Sequence, residues 1–442
     1  MSEALVGQSF DNAFTEKLDR RRLVKRAVAA GATFGLVPWV AAACGSSSKR
    51  TIKIGYVTPR TGPLAAFGAA DTYSLRQMRQ VFDKGIKIGK DTFPVEILSR
   101  DAQSNSNRAA TVAQSLILDD NVDLVLVGDT PDIVNPVADT CEANQVPCIS
   151  SLAPWQPYFF GRKGDPKKGF KWTYHFFWGL EDIIAVFLDM WGQVSTNKIA
   201  GGIYPNDPDG NAWGDKTNGF PPPLEQAGFT LVDPGRYPNL NDNFSSQIAK
   251  FKQSNVQIVT GVPIPPDFTT FWTQALQQGF HPKIASVGKA LLFPSSVEAL
   301  GNNGEGMSTE LWWSPFHPYK SSLTGQTAAQ LGAAWEKDTQ KQWTQPVGFA
   351  HALFEVAADV LGRTKDVDDK QTIVDAIKAT DLDTIVGNVS WKTGPVPNVT
   401  KTLLAGAQWR KGQKYKYELV VVSSKRVPGL KTQGRLEPIP YA

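Results

Sequence analysis

Cysteine, histidine and methionine are scarce in this chain, at three, four and four residues among 442. The histidines His175, His281, His317 and His351 are scattered, and none has a partner at a metal-ligand spacing. A Gly-x-Ser-x-Gly elbow, a paired-histidine zinc motif and a glycine-rich phosphate cradle are also missing. These absences argue against catalysis: no catalytic residue, metal site or cofactor is expected. Long apolar runs are missing as well. The one extended uncharged stretch, from Ala27 to Ala43, is broken by Gly31, Gly35 and Pro38 and falls short of the ~20 residues that a membrane span needs.

What precedes and follows that stretch is informative. Arg20-Arg21-Arg22-Leu23-Val24-Lys25 lies before it, and Ala41-Ala42-Ala43-Cys44 closes it. A basic patch, an apolar segment and a small-residue cleavage site make residues 1–43 a secretory signal. The arginine pair followed by an apolar residue and lysine looks like a twin-arginine export signal, with Asp19 where Ser or Thr is usual. Cys44 resembles the lipid-bearing cysteine of a lipoprotein cleavage box, with Ala41 in place of the usual Leu. Lipidation at Cys44 and simple cleavage after Ala43 both fit, and residues 44–50 form a short tether. The protein is expected to be exported, periplasmic or at the cell surface, and to meet the membrane only through such an anchor.

The charge balance of 46 basic against 42 acidic residues belongs mostly to this leader. Subtracting its six basic and four acidic side chains leaves 40 against 38, about +2. So even a balance gives no electrostatic footprint for nucleic acid. About 400 residues exceed what one core usually serves, so two lobes are expected. In an exported chain, the isolated pair Cys141 and Cys148 is expected to be bridged.

The remainder alternates strand and helix. Strand patterns cover 51–57, 93–99, 122–128 and 147–151, with helical patterns at 69–82, 107–118 and 132–143 between them. Val122 to Gly128 is nearly all apolar, as in a strand buried on both faces. The grammar restarts with a strand at 198–204, a helix at 213–226 broken by three prolines, a strand at 257–262 and a helix at 267–278. Strands separated by helices imply parallel units and two doubly wound, Rossmann-like α/β lobes. In such sheets a ligand sits beyond the strand carboxyl ends. That singles out Thr58–Gly68, Gly128–Asp132, Ser150–Trp155, Tyr204–Gly214 and Val262–Asp267.

Ile52-Lys-Ile-Gly-Tyr-Val-Thr-Pro-Arg-Thr-Gly-Pro-Leu-Ala-Ala-Phe-Gly68 resembles the first strand and ligand loop of the leucine/isoleucine/valine-binding proteins, the type I periplasmic solute receptors of ABC importers. Arg100-Asp101-Ala-Gln-Ser-Asn and Pro147-Cys-Ile-Ser-Ser extend the likeness. The resemblance implies two lobes joined by a three-strand hinge, crossing near 172–179, 308–313 and 383–389. Lobe 1 would comprise 51–178 and 310–385, and lobe 2 would comprise 179–309 and 386–442. It further implies a monomer that captures a branched-chain amino acid, or a related small carboxylate or amide, by hinge closure and hands it to permease subunits. Delivery of a solute to a separate sensor is the alternative.

Carried over position by position, the resemblance puts Phe67 over the solute, Asp129 and Thr130 at the first carboxylate-binding loop and Ser150 and Ser151 at the second. Asp207 and Trp213 would close from lobe 2. Ser and Asp at these places also suit ordinary helix capping. One departure matters. The amino-acid binders carry an acidic residue near 286–290 that pairs with the ligand ammonium, and here Lys289 stands in that loop. Either Asp129, Asp132, Asp207 or Asp267 replaces it, or the ligand is no ordinary α-amino acid. Trp155, Trp172, Trp178, Trp213, Trp272, Trp312 and Trp313 fall beside strand ends and hinges. They suggest an aromatic-walled cleft, although most large rings serve as core.

Overall fold

The structure is a computed structural model that describes residues 49–441. The expected signal peptide, its cleavage site and the lipid-bearing Cys44 lie outside these residues. Among the described residues no helix is long and apolar enough to cross a membrane.

Two α/β sheets organise the chain. In lobe 1 the strands lie in the spatial order Val399–Thr400, Thr173–Phe176, Cys148–Ser151, Leu124–Gly128, Ile52–Thr58 and Val95–Asp101, and every pairing is parallel. All of Leu124–Gly128 is buried, because helices cover both faces of a parallel sheet. The helix Ser106–Leu118 packs Ala109, Val112, Ala113, Leu116 and Ile117 inward, and Asn105 caps it by accepting from the Arg108 N–H at 2.9 Å. In lobe 2, Ile199–Pro205, Ile258–Gly261, Ile284–Val287 and Ser308–Leu311 are parallel neighbours. Ala405–Lys411 and Tyr417–Ser423 then extend that sheet antiparallel. Parallel order brings the strand carboxyl ends of each lobe to one edge, where the loops singled out in the sequence emerge.

Three elements differ from expectation. The third crossing lies at 401–404 rather than near 383–389, because Val399–Thr400 pairs with Thr173–Phe176 and keeps residues 386–400 in lobe 1. The helix expected over 213–226 is two short ones, Pro208–Trp213 and Pro221–Gln226. Asp207 starts the first by accepting from the Gly210 N–H at 2.7 Å, ahead of a proline suited to a first turn. Finally, Cys141 and Cys148 are not bridged: both are free, fully buried thiols. Burial holds the Cys141 thiol well above its usual pKa, with a hydrogen bond to Cys148 adding to the rise, and so disfavours the thiolate that disulfide formation requires. The Val146 N–H to Cys141 carbonyl bond of 3.0 Å closes the turn between them instead.

The crossings are tied to one another. Phe177 N–H donates to the Thr400 carbonyl at 3.2 Å, and Lys401 reaches Asp182 and Glu181 beyond the first crossing. Gln345 clamps the second crossing, accepting from Trp312 N–H at 2.8 Å and donating to the Glu310 carbonyl at 3.1 Å. Replacing the cap by Asn105→Ala should cost about 1 kcal/mol in urea unfolding, with Asn105→Ser restoring most of the loss.

Candidate functional site

The loops at the carboxyl edges of the two sheets, together with two of the crossings, enclose a small cavity. Phe67, Thr130, Leu152 and Pro154 come from lobe 1, and Asp209, Trp213, Val262, Lys289, Leu292 and Glu310 from lobe 2. Phe177, Trp178 and Trp312 come from the crossings themselves. The cavity is about 20 Å³, enough for one or two waters. The lobes touch over this cavity. Phe67 meets Phe293 of lobe 2 edge-on at 4.9 Å across the cleft.

Of the residues expected from the sequence, Phe67, Thr130, Trp213 and Lys289 line this cavity. The Thr130 hydroxyl is buried without a protein partner. Asp129 is buried beside it; one carboxylate oxygen accepts from the Thr130 N–H at 2.6 Å and the other has no partner. Trp213 stacks on Phe220 at 4.6 Å, and its indole N–H is free. Ser150 and Ser151 are buried and do not line the cavity. Ser150 Oγ donates to the Tyr174 carbonyl at 3.2 Å and lies 2.9 Å from His175 Nδ1; Ser151 Oγ donates to the Phe176 carbonyl at 2.5 Å. Trp155 lies away from the cavity, its indole N–H donating to Glu181 at 3.1 Å.

Lys289 is the electrostatic centre. Its Nζ lies 3.1 Å from Asp207 and 2.7 Å from Asp209, with all three side chains buried. Burial opposes the ammonium, but Asp207, Asp209 and Asp132 outweigh it and raise the Lys289 pKa. One ammonium cannot compensate several carboxylates. Burial lifts Asp209 to about 6 against the pull of Lys289, lifts Glu310 to about 7 and Asp267 to about 7, and raises Asp129 and Asp132. Asp207 caps its helix, bonds Asn239 at 3.2 Å and pairs with Lys289, and it does not line the cavity.

Sequence reasoning missed Asp209 and Glu310, the two carboxyls on the cavity wall. Asp209 was within reach, being two residues from Asp207, in the helix that Asp207 caps. Glu310 sits in a short, mostly polar strand, Ser308–Leu311, whose full burial only the sheet reveals. Among the tryptophans noted from the sequence, Trp178, Trp213 and Trp312 reach the cavity, while Trp172, Trp272 and Trp313 are buried elsewhere.

The Glu310 environment has a measurable consequence. Its carboxyl is protonated in the fold below about pH 7 but ionised in the unfolded chain above about pH 4.5, so folding loses stability as pH rises from about 4.5 to about 7 and levels off above that. Glu310→Gln has no such loss. Relative to wild type, this variant should gain about 1 kcal/mol between pH 6 and pH 8 in denaturant titrations without solute.

A family model described as "Periplasmic binding protein" matches residues 51–414. No curated protein matches the chain. Among solved structures, the leucine-binding protein LivK from Thermotoga maritima superposes with a TM-score of 0.69 at 16% identity, covering 84% of this chain and 99% of that one. LivJ from Streptococcus pneumoniae, solved with isoleucine, gives 0.65 at 14%, covering 84% and 99%. A solute-binding protein of an ABC transporter from Rhodopseudomonas palustris, solved with 3,4-dihydroxybenzoic acid, gives 0.66 at 16%, covering 86% and 99%. These likenesses bear on the fold, and the fold agrees with the family match. The chain belongs to the periplasmic binding protein family, whose members bind small molecules outside the cytoplasm and work with ABC transporter permeases.

Proposed function

We propose that this protein captures a small organic solute between its lobes by hinge closure and presents the closed form to the permease of an ABC importer. The observation that carries this reading is the cavity wall. It draws on both lobes and on two crossings, and it holds five polar atoms without protein partners: Thr130 Oγ, Asp209 Oδ1 and the indole nitrogens of Trp178, Trp213 and Trp312. Buried polar groups are rarely left unpaired unless something else meets them.

Closure follows from the same arrangement. A cavity this small admits a solute only when the lobes part, so entry requires opening about the three crossings. Rings on the crossings touch the solute and the hinge together: Phe177 packs edge-on against Trp312 at 5.4 Å. A solute that bridges Phe67 and Thr130 to Asp209 and Trp213 is bound better by the closed state and shifts the population toward it.

Of the branched-chain amino acid that the sequence suggests, the cleft best accommodates the amine. The acidic partner absent from 286–290 is supplied by Asp209 and Glu310, which both line the cavity from lobe 2. Transport rather than catalysis is the role, in keeping with a family of substrate-binding proteins.

A thermal-shift screen of amino acids, amides, amines and carboxylates tests capture. A solute at a hundredfold its Kd should stabilise the protein by about 2.7 kcal/mol. Small-angle scattering should show a smaller radius of gyration with the hit than without it. Phe67→Ala should weaken the hit about tenfold by calorimetry, because it removes a cavity wall and the contact across the cleft. A folded protein that responds to no solute, or one that binds without compaction, contradicts the reading.

A further inference from the structure

Both solutes named in the related structures carry a carboxylate, and this cleft is poorly equipped to hold one. The two serine hydroxyls expected to bind it, Ser150 and Ser151, are spent on backbone carbonyls of the neighbouring strand. The Thr130 N–H donates to Asp129. The cleft's one ammonium, Lys289, is shared by Asp207 and Asp209. The donors left over, the Thr130 hydroxyl and three indole N–H groups, are all neutral.

Against these stands an excess of acid. Asp209 and Glu310 line the cavity, Asp129 flanks it beside Thr130, and Asp132 lies close enough to feel Lys289 and Asp207. Asp209 Oδ1 and Asp129 Oδ2 are buried with no hydrogen-bond partner in the protein. A solute carboxylate entering here would meet the Asp209 carboxylate in a dry site, with Lys289 already taken up by Asp207 and Asp209. An ammonium would meet the unpaired Asp209 Oδ1 and the neighbouring Glu310 carboxyl, with the rings of Phe67, Trp178, Trp213 and Trp312 around it. Carboxylates and ring faces together are what a desolvated organic cation requires. A bare metal ion fits less well, since among the described residues no three acidic, histidine or cysteine side chains converge as ligands.

Building on solute capture in this cleft, we propose that the captured solute is a small organic cation without a free carboxylate. Asp209 and Glu310 hold its ammonium group, and the Thr130 hydroxyl and indole N–H groups serve any hydroxyl, ether or carbonyl oxygen that it carries.

Matched probes separate charge from shape. Leucine, leucinamide and 4-methylpentanoate share one side chain as zwitterion, cation and anion; benzylamine and benzoate do the same on a ring, and choline adds a quaternary amine. Titrations would follow tryptophan fluorescence, which reports contact with Trp178, Trp213 and Trp312, and calorimetry. Leucinamide, benzylamine or choline should bind at least tenfold more tightly than every carboxylate-bearing counterpart. Asp209→Asn should weaken the cation at least tenfold, and Glu310→Gln should do so in the event that the first variant does not fold. Tighter binding of leucine, 4-methylpentanoate or benzoate than of the cations overturns the proposal and leaves solute capture standing. Unchanged cation affinity in both folded variants also overturns it. Silence from every probe in a folded protein removes both the cation and the capture reading.

Discussion

The ion trio of Lys289, Asp207 and Asp209 governs what this cleft can do. A lysine in the interior survives as an ammonium only when carboxylates meet it at close range, and two do so here at 3.1 and 2.7 Å. Removing one partner of such a buried pair typically costs about 3–5 kcal/mol, so the trio is anchored as a unit. Its members come from two loops of lobe 2, one after Ile199–Pro205 and one after Ile284–Val287. Satisfying the lysine therefore also fixes the geometry of both loops. The consequence is chemical. The positive charge is consumed inside the lobe, and the cavity that remains is acidic.

The second constraint is that the hinge and the site share residues. Phe177 and Trp178 belong to the first crossing and Trp312 to the second, and all three line the cavity. Trp312 is held by Gln345 of lobe 1, which also grips the Glu310 carbonyl. Glu310 thus lines the cavity while its backbone carbonyl is bonded across the second crossing. The cavity wall and the crossings are in this way mechanically joined, the arrangement by which a ligand in such a cavity biases a rigid-body motion.

Not all of the unusual residues serve the site. Arg162 is fully buried, sandwiched against Tyr158 and Phe170 with its guanidinium 4.8 and 4.0 Å from the ring centroids. It lies next to the free Cys141 and Cys148, in the core behind the strands rather than at their carboxyl ends. Trp191, whose indole N–H donates to Ser286 at 2.9 Å, ties a helix to the lobe 2 sheet in the same manner. The abundance of tryptophan is thus mainly a matter of filling and satisfying two cores.

Much of this was legible in the sequence, and the boundary has a physical cause. Apolar runs such as 122–128, helix spacing such as 107–118 and polar turns between them are local signals, and they determined two mainly parallel α/β lobes with loops gathered at the strand carboxyl ends. Phe67, Thr130 and Trp213 could be named because each follows a readable strand end. Hydrogen-bond partners are not local. Whether Ser150 and Ser151 face a solute or a neighbouring carbonyl depends on strands some 25 residues further on. Whether Lys289 is a free cation depends on an aspartate 82 positions away. The third crossing moved to 401–404 because a two-residue strand found a sheet edge in lobe 1. The sequence by itself determined the layers and the rim of the cleft; only the tertiary structure decided which charges there cancel, because cancellation is settled by distance in space.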